Sequence, residues 1–187
     1  MAYFGQQGLR DLGFKRLGSN VELSDKASVY GAARIEIGDN TRIDDFCVLS
    51  AGEDGISIGK HVHVAVYTSL IGAGRIEIGD FANLSSRVSV YSSNDDYSGE
   101  YMTNPTIPAE YTNVTKLPVT IGSHVIVGSG SVILPGVTLR SGAAVGALSL
   151  IKSDCDAFGI YAGVPAKRIG DRKRGLLERQ ADLSRRQ

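Results

Sequence analysis

Large aliphatic residues recur at every sixth position of this chain. Leu17, Leu23 and Val29 begin the series, followed by Ile37, Ile43 and Leu49, by Ile58, Val64 and Leu70, and by Ile78, Leu84 and Val90. After a long break it resumes as Ile121, Val127 and Ile133 and closes as Leu139, Val145 and Ile151. All 18 positions hold Ile, Leu or Val, a regularity that average composition does not produce. The residue four places further on is almost always small or β-branched, as in Thr41, Cys47, Val62, Ala82, Ser131 and Ala143, with Glu53 and Asn94 as the exceptions. A period of six matches neither a helical face nor the alternation of a long strand. It predicts short strands that turn a corner every six residues. Three such strands close a triangular coil of about 18 residues, and successive coils pair as parallel strands about 4.8 Å apart. Six coils predict a prism about 30 Å tall. The large residue of each hexapeptide fills the interior, and the small one lets the chain bend where the interior narrows. Cys47 and Cys155 both fall in the small inward slot and read as compact core residues.

The interruptions are informative. The step from Val29 to Ile37 is eight residues, from Leu49 to Ile58 nine, from Leu70 to Ile78 eight and from Val90 to Ile121 thirty-one. Every extra residue follows the third hexapeptide of a coil, so all insertions leave one corner. The longest, residues 92–118, is rich in Tyr, Asn, Pro and acidic groups. Its aromatic residues, Tyr97, Tyr101 and Tyr111, with Tyr91 just before it, predict an ordered loop that contacts a ligand or a neighbouring subunit. Residues 1–16 form an expected N-terminal cap, with one or two helical turns over 6–12 covering the open end of the first coil. Residues 17–166 form the prism. Residues 167–187 form an expected helical tail, its helix over 170–184 carrying Ile169, Leu176 and Leu183 at intervals of seven.

Composition narrows the function classes. The 187 residues carry 20 basic and 20 acidic side chains, which argues against a nucleic-acid-binding surface. The basic residues are uneven: from Lys167 onward there are eight against three acidic ones, a solvated helical face or the seat of an anion. No run of about 18 apolar residues occurs, and the opening MAYFGQQGLRDLGF has no basic flank with an apolar stretch, so a cytoplasmic protein without a membrane partner is expected. Two cysteines are too few for a disulfide framework or a four-ligand zinc site.

The hexapeptide run, the excursion between the fourth and fifth coils and the stretch AGVPAK at 162–167 resemble the left-handed parallel β-helix acyltransferases, over residues 17–170. The resemblance implies an all-β, left-handed parallel β-helix of about six coils with an excursion loop and a short C-terminal helix. It also implies a homotrimer whose active sites lie in the clefts between neighbouring prisms, with acyl-CoA, expected to be acetyl-CoA, as co-substrate and no metal. Within the segments IVGSGSVILPG and VGAL, Ser129 and Ala147 match turn positions whose backbone meets the pantetheine arm, where small side chains permit close approach. Lys167 and Arg168 correspond to cations that meet the CoA phosphates.

Galactoside-type relatives carry a catalytic His seventeen residues after the Ile of an IGDN-like turn. Counting from Ile78 of IGDF, that position here is Asp95. A hydroxyl acceptor needs a base poised near neutrality, whereas an amine needs a group that binds its ammonium form and takes up one proton, which a carboxylate does. The departure resembles the N-acyltransferases of nucleotide-linked amino-deoxysugars, as does the segment SNDDYSG followed by TNPTIP. The resemblance implies Asp95 as base, with Asp96 completing an acidic pair and Ser85, ten residues earlier, holding a water near the amine. The implied partner is a nucleotide sugar. Two other classes stay open on sequence: a sugar O-acetyltransferase with His61, His63 or His124 as base, and a non-catalytic or metal-dependent β-helix protein of the carbonic-anhydrase kind.

Overall fold

The computed structural model describes residues 2–185. Met1, Arg186 and Gln187, the ends of the expected cap and tail, lie outside the described residues. The six-residue period becomes three parallel sheets around one core. The first face stacks Arg16–Leu17, Ile35–Ile37, Ile56–Ile58, Ile76–Ile78, Val119–Ile121 and Thr138–Leu139. The second stacks Glu22–Leu23, Arg42–Ile43, His63–Val64, Asn83–Leu84, Ile126–Val127, Ala144–Val145 and Gly159–Gly163. The third stacks Ser28–Tyr30, Val48–Ala51, Ser69–Gly72, Ser89–Tyr91, Val132–Ile133 and Leu150–Ile151. Register follows the aliphatic series, each large residue lying on its counterpart in the next coil: Leu84 pairs with Val64 below and Val127 above. Six coils close, and Cys155, bridged to Leu139, opens a partial seventh. The fold is the expected left-handed parallel β-helix.

The inward residues from Leu23 to Ile151 are buried almost throughout, and Leu17 and Val29 at the open first coil are half-buried. The helix α1 (Gln6–Asp11) lies at that end, where Leu9 is buried and Phe4, Leu12 and Phe14 pack against the core. The small slots are dry as well. Where they hold a hydroxyl, it donates to a neighbouring backbone carbonyl: Thr41 to Gly59 at 2.8 Å, Thr68 to Ser85 at 3.0 Å and Ser131 to Gly146 at 3.0 Å. A buried hydroxyl without such a partner would cost the fold free energy.

The C-terminal segment departs from the expected helix over 170–184. Ala166–Asp171 is a strand that pairs antiparallel with Gly159–Gly163 at the end of the second face, after a turn at Val164 and Pro165. The unpaired edge of the last coil offers ladder hydrogen bonds that override the helix propensity of AKRIGD. The helix α2 spans only Leu176–Ser184, with no buried residue. It is tied to the side of the prism by the 2.7 Å contact of Gln180 with His124, and Arg172 donates to the carbonyls of His124 and Gly142 just before it. Among the described residues no helix is long and apolar enough to cross a membrane.

Burial in the small slots pushes the thiols of Cys47 and Cys155 up to about 11, so both stay protonated near neutrality. A disulfide-exchange reagent at pH 8 is expected to label neither cysteine in the folded protein and both in denaturant; rapid stoichiometric labelling without denaturant would show that the slots are open.

Candidate active site

The excursion leaves the third face after Tyr91 and returns before Val119. Its two legs cross at a base that the sequence builds from small residues. Ser92, buried, donates to the carbonyl of Gly74 at 2.6 Å and its own carbonyl accepts the amide of Leu117 at 3.1 Å. Gly72 has φ +147°, and a Cβ there would meet the Ser92 hydroxyl at 2.2 Å, so only glycine permits the crossing. Beyond it Ser93–Asn94 and Thr115–Lys116 pair antiparallel, and Lys116 reaches Glu53 on the third corner at 3.1 Å. The loop is ordered, as the tyrosines predict. Tyr91 and Tyr97 line its cavity, while the carbonyl of Tyr111 serves the loop's own fold by accepting the Met102 amide at 2.9 Å.

Under the loop lies a cavity of about 400 Å³. Tyr91, Ser93, Asn94, Asp95, Tyr97 and Val114 come from the loop and its approach, and Val132, Leu134 and Pro135 from the coil above. A carboxylate thus faces an aliphatic wall. The wall residues escape a reading based on polar motifs; the signal for Val132 and Leu134 is that they flank Ile133, an inward residue, and therefore point out.

The two adjacent carboxylates have different situations. Asp95 is exposed at the cavity, and among the described residues no hydrogen bond or ion pair holds its side chain. Asp96 turns away. It accepts the Ser98 hydroxyl at 2.8 Å and the Gly99 amide at 3.1 Å, and these bonds, led by Ser98, hold its carboxyl below the usual range. The expected acidic pair is therefore corrected: Asp96 does not line the cavity and fixes the loop's turn.

Ser85, Ser129 and Ala147 gather on the second corner, between the second and third faces. The Ser85 amide donates to the Val127 carbonyl at 2.9 Å, the Gly130 amide to the Ser86 carbonyl at 3.0 Å and the Leu148 amide to the Ser129 carbonyl at 2.9 Å, so the three stand on successive rungs. Gly128 allows this stacking, since a Cβ there would meet the Ala147 amide nitrogen at 2.4 Å. Within one chain these residues and Asp95 occupy opposite ends of the third face, on the order of 15 Å apart at about 3.3 Å per residue. Lys167 and Arg168 lie on the antiparallel strand Ala166–Asp171 rather than between a coil and a helix. Arg168 is already paired with Asp171 and, at 3.5 Å, with Asp156, whereas Lys167 is exposed.

The three histidines are engaged elsewhere. On the first corner the rings of His61, Phe81 and His124 form a stack with centroids 5.0 Å apart, and Asn40 and Asn20 continue it downward. His63 sits on the second face between Asp44 at 2.9 Å and Asn83 at 3.1 Å. None of them lines the loop cavity.

No model of a known protein family matches the chain. Its sequence is 56% identical over 178 residues to a dTDP-4-amino-4,6-dideoxy-D-glucose acyltransferase of Escherichia coli, covering 95% of this chain and 93% of that relative. AntD, an N-acyltransferase from Bacillus cereus, superposes with a TM-score of 0.96 at 42% identity over 100% of both chains, in a complex of an Asp-to-Asn variant with dTDP and coenzyme A. The same enzyme with dTDP and 3-hydroxybutyryl-CoA gives a TM-score of 0.94 at 44% identity over 99% of this chain and 98% of that one. A further AntD structure, with dTDP-4-amino-4,6-dideoxyglucose and coenzyme A, replaces by Ala a serine ten positions before that aspartate.

In the folded protein the lowered carboxyl of Asp96 stabilises its turn fully above the unfolded aspartate range, and that stabilisation disappears as pH falls through the lower folded value. Hydrogen exchange at Gly99 and Glu100 is expected to accelerate at acid pH beyond the intrinsic change, and Asp96→Ala should produce the same acceleration at neutral pH. Equal protection in the variant would sink this assignment.

Proposed function

This chain belongs to the left-handed β-helix acyltransferases that act on nucleotide-linked amino sugars, and we propose that Asp95 is the group on which its N-acyl transfer turns. The acyl donor is an acyl-CoA, and the acceptor is the primary amine of a dTDP-linked 4-amino-4,6-dideoxyhexose. The observation that carries the assignment is the unpartnered carboxylate of Asp95 at the loop cavity, with every histidine held away from it.

The carboxylate receives the acceptor as an ammonium ion and takes up one proton, leaving a neutral amine aimed at the thioester carbonyl. The new C–N bond forms as the carbonyl becomes an oxyanion. Collapse of that adduct breaks the C–S bond, coenzyme A leaves as the thiolate, and the remaining ammonium proton passes to the thiolate or solvent. The products are the amide and free coenzyme A. Ser129 and Ala147 present backbone along the second corner to the pantetheine arm, with Lys167 toward the CoA phosphates. Ser85 stands one rung below Ser129 and holds the acceptor side of the same groove. Its ten-residue spacing from Asp95 equals the spacing of the substituted serine and aspartate of AntD, which supports treating the two as one site.

Because Ser85 and Asp95 flank opposite ends of one face, a site containing both is completed by a second copy of the chain. The reading is therefore a homotrimer with three shared clefts. Acyl-CoA and nucleotide sugars are cytoplasmic metabolites, and the enzyme works in that compartment.

Asp95→Asn is expected to lower kcat on the dTDP-amino sugar by at least about 100-fold, the usual contribution of a positioned base, in a thiol-release assay. Co-assembling Asp95→Asn chains with Ser85→Ala chains should raise turnover above that of either variant alone, since some clefts then pair an intact Ser85 with an intact Asp95. Near-normal turnover by Asp95→Asn would remove this mechanism.

A further inference from the structure

The second corner below Ser85 carries a column that the acyl-transfer chemistry does not use. Phe46 and Tyr67, one coil apart, stack at 5.0 Å with 14° between their planes. Lys26 lies 5.7 Å from the Phe46 ring on one side, and the Arg87 guanidinium lies 5.3 Å from the Tyr67 ring on the other. Phe46, Tyr67 and Arg87 all have left-handed backbone, with φ of 59°, 63° and 60°, which aims the three side chains outward on successive rungs. Both rings remain about half exposed, at 46% and 49%.

Charge separates the two cations. Lys26 is neutralised by Asp45 at 3.3 Å, whereas among the described residues Arg87 has no carboxylate partner. A guanidinium laid flat on an aromatic ring keeps its N–H edges free in the ring's plane, so Arg87 is an oriented, unpaired donor fork two residues beyond Ser85. Such a fork matches the geometry of phosphate oxygens.

We infer that Arg87 anchors the diphosphate of the acceptor nucleotide, with the exposed edges of Tyr67 and Phe46 forming the wall for its nucleoside. The inference rests on the proposed function. Coenzyme A occupies the rungs above Ser85, at Ser129 and Ala147, so the acceptor must extend along the rungs below. An amine at the Ser85 level places the diphosphate one pyranose ring away, on the side of Arg87. The ring faces of Phe46 and Tyr67 are covered by each other and by the two cations, so the base lies against their edges and does not intercalate.

The test is calorimetric titration of the whole assembled protein with dTDP and, separately, with coenzyme A. Arg87→Ala is expected to weaken dTDP about 10- to 100-fold, the factor set by one or two charge-assisted hydrogen bonds, and to leave coenzyme A affinity unchanged. In turnover the KM for the dTDP-amino sugar should rise and the KM for acyl-CoA should not. Arg87→Lys, which keeps the charge and loses the fork, should fall between. Should Arg87→Ala fail to fold, Arg87→Gln retains a planar group over Tyr67 without the charge and should show the same loss.

Equal dTDP affinity in wild type and variant would overturn the inference, as would a loss directed at coenzyme A. A changed assembly mass with unchanged dTDP affinity would assign the column to contacts between copies and overturn it too. A wild-type protein that binds no dTDP and acylates no nucleotide amino sugar removes the proposed function itself, and this inference with it.

Discussion

One packing constraint underlies the molecule: a triangular interior that admits one large aliphatic side chain per hexapeptide, stacked on its equivalents in the coils above and below. Burying a Leu, Ile or Val contributes roughly 1.5–3 kcal/mol, and in this fold the same residues also set the strand register, because a slip of one residue would turn a whole column to solvent. Leu84 between Val64 and Val127 shows both effects at once. The interior therefore has no room for polar chemistry. Whatever recognises a ligand must be carried by corners or by insertions, and both are rigid because the columns beneath them are.

The corners do not share this work equally. Their left-handed residues cost conformational energy that glycine would avoid, and on the first corner that cost is offset by side-chain stacking from Asn20 and Asn40 through His61, Phe81 and His124. The second corner changes character at Ser85. Above it the side chains become small, so that backbone is accessible at Ser129 and Ala147, and below it rings and cations return. The third corner carries every insertion, from the short turn after Tyr30 to the long excursion. A groove between copies, formed by the second corner of one and the third of another, unites these two specialised edges.

The period of six made the faces, the small slots and the place of the excursion legible in the sequence, because each depends on a pattern repeated many times over. Features with a single occurrence were harder to read. The strand Ala166–Asp171 is built from residues that favour a helix, and only the free edge at Gly159–Gly163 makes it a strand. Asp95 and Asp96 are indistinguishable as neighbours in a string, yet Ser98 and Gly99 capture one and leave the other. The histidines were ambiguous for a different reason. His61 and His124 are rungs of a ladder whose members lie about one coil apart, apart from the excursion, and following the corner positions from Asn20 onward would have exposed that ladder without coordinates.

The exchange of imidazole for carboxylate follows from the acceptor. A sugar hydroxyl has a proton too tightly held for a carboxylate of ordinary basicity to remove, so an O-acyltransferase gains from a base near neutrality. An amino group arrives with a positive charge, and its difficulty is the reverse: it must be bound as a cation yet react as a neutral amine. A carboxylate with no competing partner attracts that cation through charge, orients it by hydrogen bonding and relieves it of one proton as coenzyme A develops negative charge nearby. An ion pair already present at Asp95 would compete with the substrate for that role, which is why the absence of a hydrogen bond or salt bridge at this side chain matters as much as its position. Asp96 illustrates the alternative: with Ser98 and Gly99 already bonded to it, its oxygens serve the loop and have less capacity left for an incoming ammonium.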